Sequence, residues 1–276
     1  MATSDLKTRV LTSLVGIPLL LLVFWQGGLP LTVLVLAICL FSFYEMHRLY
    51  RSKGVGHSIW LVLPYVVCLP IGASRLFDGR ADFLHFWGGL TFVWLLLLLL
   101  RELFSRREQI LSSIGAAVLI GMISTLPFAS LIALDQALPE ERRRALMLAF
   151  LLCTWATDTF AYFGGRWLGR HKLFERASPK KTVEGFLAGL IGAVAVGGAV
   201  GGLAGPGLLA QGLGIGLLLG VLGPAGDLLE SRLKRDAGVK DSARFLPGHG
   251  GVLDRFDSWI FCAPAGYLLA WLGWLA

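Results

Sequence analysis

The chain has 276 residues, 55% of them hydrophobic and only 16% charged, and its formal net charge is +7. A water-soluble domain carries about 25% charged residues, and no soluble core absorbs this much apolar sequence, so composition excludes an ordinary soluble enzyme and indicates a polytopic membrane protein. The surplus Lys and Arg falls in short connections between apolar runs, which reports membrane topology and argues against nucleic acid as a partner.

About nine apolar runs are candidate membrane spans, near residues 9–26, 29–47, 58–74, 83–101, 110–134, 145–163, 185–206, 212–229 and 256–275. The expected fold class is an all-α polytopic integral membrane protein with about nine transmembrane helices. Lys7 and Arg9 precede the first run, but no small-x-small cleavage pattern follows it, so it reads as a retained helix. The third run is short and contains Pro64 and Pro70, so it is expected to tilt or to lie partly in the interface. Cations concentrate in alternate connections: Lys7 and Arg9, His47 to Lys53, Arg101 to Arg107, Arg166 to Lys181, and Arg232 to Arg255. With nine spans this bias puts the N-terminus on the cytoplasmic side and the C-terminus outside. The triplet Arg142-Arg143-Arg144 is the exception, because neighbouring Glu140 and Glu141 count little in this rule.

Residues 1–135 read as a lipid-facing scaffold with little chemistry. Glu45, near the end of the second run, reads as a helix-end group at the interface, and His85 beside Phe86 and Trp87 as part of an aromatic belt. Cys39, Cys68, Cys153 and Cys262 are isolated in apolar runs and form no CxxC pair, so they read as small buried hydrophobes.

Residues 136–276 read as the catalytic region, with cytoplasmic loops at 163–184 and 227–258. The sixth run places Asp158 in apolar surroundings, one helical turn before Tyr162. An unpaired Asp there is costly, which favours a functional role over simple satisfaction by Thr154 or a neighbouring helix. Next comes a cation-rich loop. Arg166, Arg170, Lys172, Arg176, Lys180 and Lys181 face a single acid, Glu175. Within it, Ser178-Pro179-Lys180-Lys181-Thr182 reads as a phosphate grip that opens a helix, whose N-terminus favours anions. A Walker-type GxxxxGK[ST] loop is absent. The seventh run is glycine-dense, with GxxxG pairs at Gly185/Gly189 and Gly198/Gly202. Close helix packing within the bundle is the expected use, with a homodimer interface as the alternative.

The second loop is balanced in charge. Asp227, Glu230, Asp236, Asp241, Asp254 and Asp257 stand among Arg232, Lys234, Arg235, Lys240, Arg244 and Arg255. A patch that only binds an anionic membrane would be one-sidedly basic. Carboxylates that hold a divalent metal, mixed with cations that grip phosphates, suit nucleotidyl or phosphoryl transfer. Asp227, Ser231 and Lys234 share one face if the segment is helical, and Asp254 and Asp257 share another. Between them, Pro247-Gly248-His249-Gly250-Gly251 forms a loop that a ligand can approach closely.

The run Ser231, Leu233-Lys234-Arg235, Lys240-Asp241, Pro247, His249-Gly250-Gly251, Asp254-Arg255 and Asp257 resembles the signature of the phosphatidate cytidylyltransferase (CDP-diacylglycerol synthase) family. The clusters at 164–172 and 178–185 resemble those that precede it in the same family. The specific resemblance covers roughly residues 150–260, and the first half matches only as a set of hydrophobic spans. It implies the Mg²⁺-dependent reaction of CTP with phosphatidate to give CDP-diacylglycerol and pyrophosphate, for phospholipid biosynthesis. With no long targeting segment, a bacterial-type inner membrane is the expected location and an organelle membrane the alternative, and the cation bias of the loops puts the active site on the cytoplasmic side. Cytosine and diacyl choice come from the resemblance alone.

Phosphate is already a nucleophile, so no Ser–His–Asp set is required and catalysis rests on positioning and charge neutralisation. Asp227 and Asp254 lead the candidate Mg²⁺ ligands, followed by Asp257 and Asp158, with a second cation as an option. Lys180, Lys181, Lys234 and Arg235 are assigned to the triphosphate and the lipid phosphate. Ser178, Thr182, Ser231, Lys240 and Arg255 complete the substrate contacts. His249 either donates to phosphate or leaving pyrophosphate, or is a structural residue of a tight turn. The competing functions are a CTP-dependent lipid-alcohol kinase and a membrane transporter. A transporter of this type usually shows internal repeats, and the two halves of this chain are dissimilar.

Overall fold

The computed structural model describes residues 2–56, 58–74, 82–106, 109–239 and 250–275. Its elements in order are α1 (Ala2–Gln26), α2 (Gly28–Ser52), α3 (Ile59–Ala73), α4 (Asp82–Leu103), α5 (Ile110–Ala137), α6 (Glu140–Leu168), β1 (Lys172–Phe174), β2 (Ser178–Thr182), α7 (Val183–Ala204), α8 (Leu209–Asp236), α9 (Leu253–Phe256) and α10 (Trp259–Trp271). Among the described residues, six helices are long and apolar enough to cross a membrane: α2, α4, α5, α6, α7 and α8. The apolar part of α1, together with α3 and α10, forms three shorter apolar helices. The chain is therefore a helical membrane protein. α3 stays a single helix through Pro64 and Pro70.

Two polar stretches depart from a picture of loops between helices. First, α8 does not stop at the membrane-like apolar stretch but runs on to Asp236. Leu229 and Leu233 pack against the core there, and the Glu230 and Lys234 side chains are spaced i, i+4 and paired. Second, the cation-rich loop contains the only strands among the described residues, a small antiparallel hairpin in which Lys172 faces Thr182. Lys172 Nζ donates to the Pro179 carbonyl at 2.7 Å. That bond ties together the ends of a segment too polar to join an apolar helix.

α5 lies at the centre, packed against α2, α3 and α10, and buries Phe128, Leu131 and Ile132. Trp259, also buried, donates from Nε1 to Thr154 Oγ1 at 3.2 Å. Thr154 in turn donates to the Phe150 carbonyl at 2.9 Å, so no hydrogen bond to Asp158 is assigned to it. α6, α7 and α8 pack very closely. A Cβ on Gly189 would lie 2.7 Å from the Thr157 carbonyl of α6, and one on Gly212 would lie 2.1 Å from the Gly197 carbonyl of α7. These glycines are used inside the chain, where they let backbones touch.

The end of the bundle at the α1–α2 and α5–α6 turns is closed by a buried ion pair. Arg143 Nη1 donates to Asp135 Oδ1 at 3.0 Å, and Arg143 Nε to Glu140 Oε2 at 3.3 Å. Asp135 Oδ2 accepts from the Gly28 N–H at 2.9 Å. Arg144 lies with its guanidinium 5.5 Å from the centre of the Trp25 ring. Two arginines of the triplet thus have structural partners at this end of the bundle.

Candidate active site

At the other end of the bundle, four elements converge. The extended end of α8 carries Asp227, Ser231 and Lys234 on one face. Ser231 Oγ donates to Asp227 Oδ1 at 3.2 Å. Lys181, from the last turn of the hairpin strand β2, pairs through Nζ with Asp227 Oδ2. Asp158, on an open face of α6, stands within electrostatic reach of Asp227, Lys181 and Arg255. Asp257 follows α9 and accepts from the Ser258 N–H at 2.7 Å. Burial pushes the Asp257 carboxyl well above the usual carboxylate range, and the charges of Asp227 and Asp158 push it further; the Ser258 N–H and Lys181 oppose them. Asp158, Asp227 and Asp257 therefore stand within electrostatic reach of one another and share a local surplus of negative charge, with Lys181 near all three and Arg255 near Asp158.

Asp254 belongs to a second, adjoining group. Its Oδ1 is 2.5 Å from Lys234 Nζ, and its Oδ2 accepts from the Gly251 N–H at 2.9 Å. Lys234 Nζ also lies 2.5 Å from Glu230 Oε2. Burial works against a charged Asp254, but hydrogen bonds with Glu230, Lys234 and the Gly251 N–H outweigh it and hold the carboxyl down at about 2.

The hairpin and helix ends position the remaining candidates differently. Thr182 caps α7, its Oγ1 accepting from the Gly185 N–H at 3.2 Å, which is how a Thr before a helix satisfies an orphan donor. Ser178 is half-buried and Lys180 exposed. Arg235 turns back to the Val239 carbonyl at 3.3 Å, and Arg255 is exposed beside the acidic group. Arg232 Nη1 reaches the Arg176 carbonyl at 3.5 Å, joining α8 to the hairpin. Lys240 and His249 lie outside the described residues.

Two residues enter the site without a role read from sequence. Glu230 is buried, with 1% of its surface exposed; the i, i+4 spacing to Lys234 is the signal that marks it. Glu45, expected as an interfacial helix-end group, is instead fully buried. Its Oε1 accepts from the Val252 N–H at 2.6 Å and its Oε2 from the Leu253 N–H at 3.1 Å. The correction has a physical reason: α2 continues past Glu45 to Ser52, so the carboxylate faces the interior where α9 begins. Sequence spacing gives no hint of a contact across 207 positions.

Helices of membrane-spanning length, ending in a pocket of carboxylates and lysines beside a basic hairpin, define a membrane-embedded protein with a polar site at one end of its bundle. The chain belongs to the cytidylyltransferase family, whose model matches residues 7–272. It is 37% identical to a phosphatidate cytidylyltransferase of Bacillus subtilis over 96% of this chain and 97% of that protein. It is 32% identical to one of Synechocystis, over 94% of each chain. It is 35% identical to one of Brucella abortus, over 96% of this chain and 93% of that one. The similarity thus extends well beyond residues 150–260, through the first-half helices that carry Glu45.

Proposed function

We propose that this chain transfers the cytidylyl group of CTP to phosphatidate, giving CDP-diacylglycerol and pyrophosphate for phospholipid biosynthesis, as its curated relatives are named to do. The observation that carries the reading is the meeting of Lys181 with Asp227, beside Asp158 and Asp257, at the end of the helices. It puts a phosphate-binding cation against a carboxylate group in a protein whose walls are apolar. In the reaction a phosphate oxygen of phosphatidate forms a bond to the α-phosphorus of CTP. The bond from that phosphorus to the β-phosphate oxygen breaks, and pyrophosphate carries away the electron pair. No protein nucleophile is needed, so the residues bind, orient and neutralise.

The acidic group fits Mg²⁺. A hard divalent ion takes one or two carboxylates and completes its shell with water and substrate phosphates. Asp158, Asp227 and Asp257 crowd negative charge that Lys181 and Arg255 offset only in part. Among the described residues no three carboxylates, His or Cys are gathered closely enough to hold an ion by themselves, so substrate phosphates and water would have to complete its shell. Asp227 and Asp257 would hold the ion, with Asp158 behind them, and Mg²⁺ would supply neutralisation of the triphosphate. Asp254 already accepts from Lys234 and the Gly251 N–H, so we place it as the adjoining anchor, with Lys234 acting through it. Lys180, Lys181, Arg235 and Arg255 supply the positive charge for the phosphates.

We further read nine crossings, adding the three shorter apolar helices to the six long ones. The N-terminus and the site then lie on the cytoplasmic side of a bacterial inner membrane. The cation-rich connections share the site's end, and Arg143 at the other end is neutralised by Asp135.

The test uses purified full-length protein with phosphatidate and CTP labelled at the α-phosphate, with and without Mg²⁺. Label entering lipid only with Mg²⁺ is the expected result. Label entering lipid only from γ-labelled CTP would replace the reading with a lipid kinase. No transfer from either, with ion-driven uptake instead, would indicate a transporter.

A further inference from the structure

Asp254 and Asp257 sit on and just after a helix that cannot hold itself in place. α9 has four residues, whereas isolated helices are marginal below about 12–15. Its position must come from what grips its ends. On one side, the Asp257 carbonyl packs against α8 so closely that a Cβ on Gly226 would come within 2.1 Å of it. On the other, three successive N–H groups lead into the helix. That of Gly251 donates to Asp254 itself, and those of Val252 and Leu253 donate to the two oxygens of Glu45. One carboxylate bonded to two adjacent donors fixes direction as well as distance. Glu45 is fully buried on α2, well away in sequence from every element of the site.

We propose that Glu45 is a positioning residue for the transfer site: its bidentate grip on the Val252 and Leu253 N–H groups sets the orientation of α9, and through it the places of Asp254 and Asp257. The assignment rests on the reaction proposed above. Supporting groups behind site carboxylates typically cost about 10–100-fold in activity or metal affinity when removed. A role confined to fold stability would cost folded protein without changing turnover per folded molecule.

Asp135 provides a matched control, since it too is a buried carboxylate accepting a backbone N–H and lies in the clamp at the opposite end. Glu45→Gln keeps the volume and one acceptor but turns an NH₂ group toward a backbone donor. The full chain in lipid nanodiscs is compared as wild type, Glu45→Gln and Asp135→Asn. Turnover of α-labelled CTP per folded molecule is measured, and hydrogen–deuterium exchange is followed over residues 250–257 without substrate. Glu45→Gln is expected to lower kcat about 10–100-fold, with KM for CTP changed far less, and to speed exchange at Val252 and Leu253. Asp135→Asn is expected to do neither. Equal losses of kcat in the two variants, or unchanged exchange over 250–257 in Glu45→Gln, would overturn the proposal. If Glu45→Gln fails to insert, Glu45→Asp, which keeps the charge but draws it back by one methylene, takes its place in both measurements under the same criteria. If wild type moves no label into lipid, the transfer reaction falls, and the exchange measurement alone decides whether Glu45 holds α9.

Discussion

The two ends of this bundle both bury carboxylates, but they treat them differently. At the Asp135 end the one buried carboxylate is matched: Arg143 takes one oxygen of Asp135 and the Gly28 N–H the other, while Arg143 also reaches Glu140, which is exposed. Among the described residues, the contacts and close charges at the other end set Asp158, Asp227, Asp257, Glu230 and Asp254 against Lys181, Lys234 and Arg255. A matched cluster is complete without a ligand, so it can only lock two turns together. A cluster with surplus carboxylate repels a triphosphate until a cation intervenes, so it suits a site that binds metal and nucleotide together. Burial and charge type are shared by the two ends, and the charge balance separates structure from candidate chemistry.

The sharpest way to break this contrast is to remove the surplus. Asp227→Ala and Asp254→Ala should each abolish label transfer from α-labelled CTP, with the protein still folded and membrane-inserted. Full activity in both would remove the carboxylates from the mechanism. Gly226→Ala should come next. Its Cβ would lie 2.1 Å from the Asp257 carbonyl, so α8 and the α9–α10 turn must separate. Displacements of about 1 Å at a reacting centre can cost about 100-fold. A loss of that order in kcat, with insertion retained, is expected, and wild-type turnover would show that the Asp257 backbone has room to shift. Lys181→Ala should act more mildly, mainly on nucleotide binding. A charge-assisted hydrogen bond is worth roughly 1.5–3 kcal/mol, or about 10–100-fold in affinity. The rise in KM for CTP should fall at the lower end, because Lys180 is next in the chain. An unchanged dependence on CTP concentration would count against a phosphate-binding role.

Much of this arrangement is legible in the sequence because membrane physics writes it there. Apolar runs place the helices within a few residues, and the helical spacing of Asp227, Ser231 and Lys234 brings them to one face, as the hydrogen bond from Ser231 to Asp227 records. The grouping of Lys181 with Asp227 is not legible, since it depends on a hairpin bringing two polar segments together across the α7–α8 pair. Nor is the division that sets Asp254 with Lys234 and Glu230, apart from Asp227 and Asp257. That division goes with the turn at Gly250, whose φ is +85°, with the Gly251 N–H on Asp254, and with the Val252 and Leu253 N–H groups on Glu45. Glu45 itself is unreadable because one carboxylate near the end of an apolar run looks the same whether it faces water or the start of another helix. The arginine triplet misleads for the reverse reason: residue counting cannot tell a buried, paired guanidinium from one that reports topology.

The smallest effect on catalysis is expected where the charges are matched. Arg143→Met removes the cation and leaves Asp135 buried with the Gly28 N–H as its remaining assigned donor. Breaking a buried pair from one side typically costs about 3–5 kcal/mol, enough to lower the melting temperature and the yield of folded protein. Turnover per folded molecule should nonetheless stay at the wild-type value. Arg143 and Asp158 lie on the same helix, α6, fifteen positions apart, which is about 22 Å at roughly 1.5 Å per residue. The hydrogen bonds of Asp135 and Arg143 given above stay within the α1–α2 and α5–α6 turns. Melting curves and label transfer on the same preparations separate the two quantities. A fall in kcat that outlasts correction for folded protein would mean that the α5–α6 clamp bears on the site through α6, and the two ends would then have to be treated as one coupled system.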